Sequence, residues 1–180
     1  SILICKKMKK RKPTNNQIKR RSFLKKGVAA SSIFIIPRHV LGGQGYVSPS
    51  DKLCLAAIGS GGKGGSDISN ASVNGRENVV ALCDVDFSQA TETLKKFPKA
   101  KLYSDFREML DEEKDIDAVT ISTPDHTHAS AALYSMDRQK HVYIQKPLTH
   151  NIKEARLLTN LARQKKVVSQ MGNQGASNPN

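Results

Sequence analysis

A continuous apolar run, Leu53 to Ile58, breaks into Gly59-Ser60-Gly61-Gly62-Lys63-Gly64, and a second run, Val79 to Cys83, ends on Asp84. Uninterrupted apolar runs of this length fit strands buried on both faces. The glycine spacing G-x-G-x-x-G then constrains the connection between them. Gly59 permits a tight turn, Gly61 lets the backbone approach a pyrophosphate, and Gly64 allows a helix to pack close against the strand. Ser60, Gly62 and Lys63 complete the loop, and the helix that begins there offers unpaired N–H groups and a positive dipole to phosphates. Asp84 stands 20 positions after Gly64, where its carboxylate would accept hydrogen bonds from the adenosine ribose and repel a 2′-phosphate. The cofactor read from this pattern is NAD; NADP stays open, because Lys63 could offset the repulsion. The plainer alternative is a glycine turn without a ligand and an aspartate that caps the next turn. No G-K-[ST] occurs at the spacing of a P-loop.

Beyond the loop, strand and helix patterns alternate. Helices are expected over about 63–73, from Ser88 as N-cap to about Phe97, from Asp105 as N-cap to about Glu113, over about 126–138 and over 151–165. The strands between them are expected near 101–103, 117–122, 141–145 and 167–171. Such alternation implies parallel strands joined by right-handed crossovers, hence an α/β fold with a doubly wound parallel (Rossmann) sheet of about six strands. Cys54 and Cys83 are expected as small core residues on neighbouring strands.

Charge divides the chain. The formal net charge is +13, yet residues 1–52 hold 13 Lys/Arg and a single acid, Asp51, while residues 53–180 hold 16 Lys/Arg against 15 Asp/Glu. The expected globular part is almost neutral, so a nucleic-acid partner loses its main support. Three cysteines without a C-x-x-C argue against a disulfide scaffold and a structural zinc site. His126 and His128 form an H-x-H pair, but a pair supplies two metal ligands at most, so no metal is assigned.

The domain organisation expected is a leader and linker over 1–52, a dinucleotide-binding domain over 53–171, and the start of a connection over 172–180. In the leader a basic run is followed by Lys19-Arg20-Arg21-Ser22-Phe23-Leu24-Lys25-Lys26 and a mildly apolar stretch from Gly27 to Pro37. A positive region before a short apolar core is secretory architecture, too short for a stable membrane span. The arginine pair with Phe23-Leu24-Lys25 behind it resembles a twin-arginine signal, which implies the twin-arginine export machinery as a partner and a periplasmic or otherwise exported protein. A basic tail or a nuclear-type basic patch is the competing reading.

Three clusters sit where strands are expected to end: Ser122-Thr123-Pro124-Asp125-His126-Thr127-His128, Gln145-Lys146-Pro147, and Gly172-Asn173-Gln174-Gly175. Open parallel sheets place their ligands at these carboxyl ends. With Gly59–Gly64, Asp84, Thr123-Pro124, His128, and Lys146-Pro147 followed by Glu154-Ala155, the chain resembles the Gfo/Idh/MocA oxidoreductases, relatives of glucose–fructose oxidoreductase and inositol dehydrogenase.

The resemblance implies that Lys146 is the active-site lysine of an E-K-P motif, beside the nicotinamide and the reacting hydroxyl. Gln145 stands where that motif has Glu, and restoring the carboxylate is expected to be tolerated. Thr123, Pro124, His128, Asn173 and Gln174 are implied as further cofactor-binding residues, His128 lining the nicotinamide pocket. The family also implies a second, β-sheet domain with the substrate pocket and an acid/base histidine, which this sequence, stopping at Asn180, does not contain. The complete protein is implied to be a homo-oligomer.

The function expected is the NAD(P)-binding half of an exported oxidoreductase that moves hydride between a sugar or polyol hydroxyl and a nicotinamide. An NAD-dependent glycosidase working by transient sugar oxidation is the second reading, and a non-catalytic dinucleotide-binding fragment the third.

Overall fold

The computed structural model describes residues 48–73 and 75–177. The basic run, arginine pair and apolar stretch of the leader lie outside the described residues. Among those described, the elements are β1 (Cys54–Ile58), α1 (Gly62–Ala71), β2 (Asn78–Cys83), α2 (Thr91–Lys96), β3 (Lys101–Tyr103) and α3 (Phe106–Glu112). They continue with β4 (Ala118–Ile121), α4 (His128–Asp137), β5 (His141–Gln145), α5 (Ile152–Lys165), β6 (Ser169–Gly172) and the short α6 (Gln174–Ser177).

All six strands pair in parallel, in the order β3-β2-β1-β4-β5-β6. The chain winds outward from β1 to β3, crosses back over it to β4, and winds outward again to β6. This is the doubly wound sheet that the strand–helix alternation implies. The reversal falls between β1 and β4, so the loops after these two strands diverge and leave a crevice.

Successive side chains of a strand face opposite sides, and the two cores follow that period. Ala56 and Ile58 of β1 join Ile121, Met109, Met136 and Ile144 on one face. Leu55 and Ala57 join Ile68 of α1 and Leu82 of β2 on the other. Ile68 and Leu82 are wholly excluded from solvent, and burial of each such side chain contributes about 1.5–3 kcal/mol.

The caps differ in one place from the sequence reading. Asp105 caps α3 as expected, its Oδ1 accepting from Arg107 N–H at 2.8 Å. Before α2, however, Asp86 does the capping by accepting from Ser88 N–H at 2.9 Å, and a 3-10 turn over Phe87–Ala90 precedes the α-helix. Aspartate outcompetes Ser88 because its carboxylate is the stronger acceptor and stands two residues before the first free N–H. A second 3-10 turn, Asp125–Thr127, delays α4 to His128.

Candidate functional site

Gly59 ends β1 with a φ of 83°, and a Cβ there would stand 2.6 Å from Ser122 O at the end of β4. Only glycine fits both the left-handed turn and the close approach. A Cβ on Gly64 would collide with Gly59 O, so the first turn of α1 rests directly on the end of β1. Gly64 N–H donates to Gly61 O at 2.9 Å, and Gly65 N–H donates to the same oxygen at 3.4 Å. The N–H groups of Gly62 and Lys63 have no partner among the described residues. They are the orphan donors of a helix N-terminus, free for an anion.

Asp84 joins this loop directly. Its Oδ2 accepts from Ser60 N–H at 2.7 Å and Gly61 N–H at 3.0 Å, and its Oδ1 accepts from Asp86 N–H at 3.1 Å. A carboxylate has about four acceptor positions, so Oδ1 keeps capacity for a hydroxyl. A cavity of about 510 Å³ opens here, lined among others by Gly59, Gly61, Asp84, Thr123 and Pro124. It lies in the crevice between β1 and β4. A larger groove of about 690 Å³, lined by Glu77, Lys96 and Lys101, runs instead past the start of β2, away from the strand carboxyl ends. Cys83 also faces the smaller cavity. Burial pushes its thiol up to about 12, with the negative charges of Asp105 and Asp84 adding to the shift.

Several residues singled out in the sequence have other partners. Ser60 is fully buried; its Oγ donates to Cys83 O at 3.1 Å and its carbonyl accepts from Thr93 Oγ1 at 2.8 Å, so only its backbone serves the loop. Lys63 pairs with Asp67 at 2.5 Å. His128 is 1% exposed, its Nδ1 2.7 Å from Pro147 O and its Nε2 2.8 Å from Thr123 O. Its ring ties the loops after β4 and β5 together, with both nitrogens engaged by backbone carbonyls.

Thr123 Oγ1 accepts from Thr127 Oγ1 at 2.7 Å, and Pro124 begins the 3-10 turn at the cavity wall. Lys146 is exposed directly after β5, and its ammonium has no partner among the described residues. Its N–H donates to Gln145 Oε1 at 3.0 Å, and the Lys146–Pro147 peptide is cis. Beyond β6, Gln174 Nε2 donates to Tyr143 OH at 2.7 Å, while Asn173 is exposed.

Sequence reasoning passed over Asp67. It is buried on α1, and its Oδ2 accepts from Ser122 Oγ at 2.8 Å and from Gln145 Nε2 at 2.7 Å. A signal existed: Gly64, Asp67 and Ile68 are spaced as one helical face, and Gly64 must face the strand. This arrangement gives Gln145 a buried partner that the sequence reading did not include. A glutamate there would set a carboxylate against Asp67 without a proton between them.

The glycine turn, the two orphan amides, the free capacity of Asp84 and the adjoining cavity fit a dinucleotide. Comparison with known proteins agrees. The profile of the "Oxidoreductase family, NAD-binding Rossmann fold" matches residues 54–173. Inositol 2-dehydrogenase of Salmonella typhimurium is 35% identical over 78 residues, which cover 43% of this chain and 23% of that protein. A glycosyl hydrolase family 109 protein of Solibacter usitatus is 33% identical over 122 residues, covering 62% of this chain and 28% of its own length. The crystal structure of GenD2 from gentamicin A biosynthesis, in complex with NAD, superposes with a TM-score of 0.63 at 25% identity, over 77% of this chain and 37% of that one. The chain thus spans less than a third of the curated relatives' length in these matches. Through its glycine turn and strand-end clusters, it belongs to the Gfo/Idh/MocA oxidoreductase family and forms that family's NAD-binding Rossmann fold.

Proposed function

We propose that the chain is the cofactor-binding part of an oxidoreductase that moves hydride between a hydroxyl of a sugar or polyol and the nicotinamide of NAD. NAD, when bound, supplies the hydride acceptor. The N–H groups of Gly62 and Lys63 would donate to its pyrophosphate, and Asp84 Oδ1 would accept from the adenosine ribose. Thr123 and Pro124 would line the crevice beyond, with Asn173 and Gln174 at the neighbouring strand end.

The observation that carries the reading is Lys146: an exposed, unpartnered ammonium among the described residues, at the carboxyl end of β5 and on the same sheet edge as the glycine loop. A cation there can stabilise the alkoxide charge that develops as hydride leaves carbon. The leader's arginine pair and weak apolar stretch support export by the twin-arginine route, which carries proteins already folded around a cofactor. We assign a homo-oligomer to the complete protein on the resemblance alone.

Full-length protein assayed with NAD and a panel of inositols, hexoses and other polyols is the test. Lys146→Ala should retain NAD binding within a few-fold and lose about 100- to 1000-fold in turnover. Normal turnover by that variant would remove Lys146 from the chemistry. The glycosyl hydrolase family 109 relative favours a second reading, transient oxidation followed by elimination of the aglycone and return of the hydride. Release of nitrophenol from a nitrophenyl glycoside without net NADH formation would select it.

A further inference from the structure

Gln145 is 7% exposed, and both ends of its amide are engaged. Nε2 donates to Asp67 Oδ2 at 2.7 Å, and Oε1 accepts from Lys146 N–H at 3.0 Å. The opposite amide orientation would turn oxygen against carboxylate and NH₂ against N–H, so the network fixes one orientation. A glutamate has acceptors only and cannot meet the first contact. Asp67, with a side chain 4% exposed, accepts from Lys63 Nζ, Ser122 Oγ and Gln145 Nε2. It therefore joins three chain segments: the first turns of α1, the end of β4 and the end of β5.

We propose that Asp67 is a positioning residue for Lys146. Acting through the Gln145 amide, it fixes the backbone from which Lys146 leaves the end of β5, and this buried node holds a single carboxylate, placed on α1 instead of at the end of β5. The importance of that position for chemistry rests on the role proposed for Lys146. The coupling between residues 67 and 145 does not.

The reciprocal exchange tests it. Full-length Gln145→Glu sets two buried carboxylates in contact, where both cannot ionise. The folded state then holds a proton that the unfolded chain releases, so stability falls as pH rises. The variant should melt about 5–10 °C below the parent near pH 8 and recover most of that loss near pH 5. Asp67→Asn alone replaces one acceptor by a donor among three donors, and it should also melt lower. In Asp67→Asn with Gln145→Glu, the amide introduced on α1 donates to the carboxylate introduced on β5, whose other oxygen accepts from Lys146 N–H. The contacts of residue 145 are remade, Ser122 Oγ turns to accept from the new amide, and Lys63 keeps an amide oxygen in place of a carboxylate.

The double variant should melt within about 2 °C of the parent and lose the pH dependence of Gln145→Glu. The backbone amide resonance of Lys146, displaced in Asp67→Asn, should move back in the double variant. Losses that simply add, or a Lys146 amide indifferent to Asp67→Asn, would overturn the proposal. If Gln145→Glu does not fold, folding of the double variant decides the same question: recovery supports the coupling, and failure refutes it. NAD titration of the four proteins separates the two readings. A parent that binds no NAD would defeat the functional assignment while leaving the coupling to be judged by melting and resonance.

Discussion

Replacing Gly64 by alanine should damage both the fold and the site, although alanine is the better helix former. The propensity gain is about 1 kcal/mol. Against it, the new Cβ collides with Gly59 O and lies 2.8 Å from Gly59 C and 3.2 Å from Ser122 Cβ. Gly59 has little room to retreat on the β4 side, where a Cβ of its own would stand 2.6 Å from Ser122 O. The start of α1 must then back away by roughly 1 Å to restore ordinary contact. That movement loosens Ile68 and Asp67, both buried on the same helix face. We expect a net loss of about 2–4 kcal/mol, or about 6–15 °C in melting temperature. NAD affinity should fall by about tenfold or more, because the Gly62 and Lys63 amides move with the helix. Gly62→Ala is the control. Its Cβ meets nothing within 4 Å, and only a φ of 46° opposes it, so it should cost about 1–2 kcal/mol. Thermal melting and NAD titration of both variants decide the matter. A Gly64→Ala protein as stable as the parent would refute the packing argument.

Two further outcomes rest on local chemistry. Lys166 closes α5 with a φ of 57° and a ψ of 36°, so Lys166→Gly should stabilise by about 0.5–1 kcal/mol, read as a higher urea midpoint. The Cys83 thiol, pushed up to about 12 by burial from an ordinary 9.0, keeps its proton in the folded chain where the unfolded chain has lost it. Its contribution to stability is complete below the unfolded value and is lost as pH rises through the folded one. The parent should therefore lose stability relative to Cys83→Ala as unfolding is measured at successively higher pH across that window.

The alternation of strand and helix was readable because burial on one or two faces imposes a local period. β3 and β5 fall on the expected residues, and the other strands within about two positions. The glycine turn was legible for the same reason, since backbone geometry at Gly59 and Gly64 restricts the residue type locally. The partners of the polar side chains were not. Asp67 meets residues 55 and 78 positions away, at Ser122 and Gln145, and no short window encodes such a contact. His128 shows the same limit: its place in the motif was visible, but its burial between Thr123 O and Pro147 O depends on how two strand-end loops converge. The Asp86 cap was a closer miss, a competition between two acceptors two residues apart.

The central claim, an NAD site built on the glycine loop and Asp84, is tested most directly by titrating the protein and Asp84→Ala with NAD and NADP. The parent should prefer NAD by about 10–150-fold, the discrimination that one carboxylate exerts by accepting from the ribose and repelling the extra phosphate. Asp84→Ala should lose that preference. It should also bind NAD more weakly, because Ser60 and Gly61 lose the acceptor that orders their amides. Equal affinity of the parent for both cofactors, or an undiminished NAD preference in Asp84→Ala, would contradict the account.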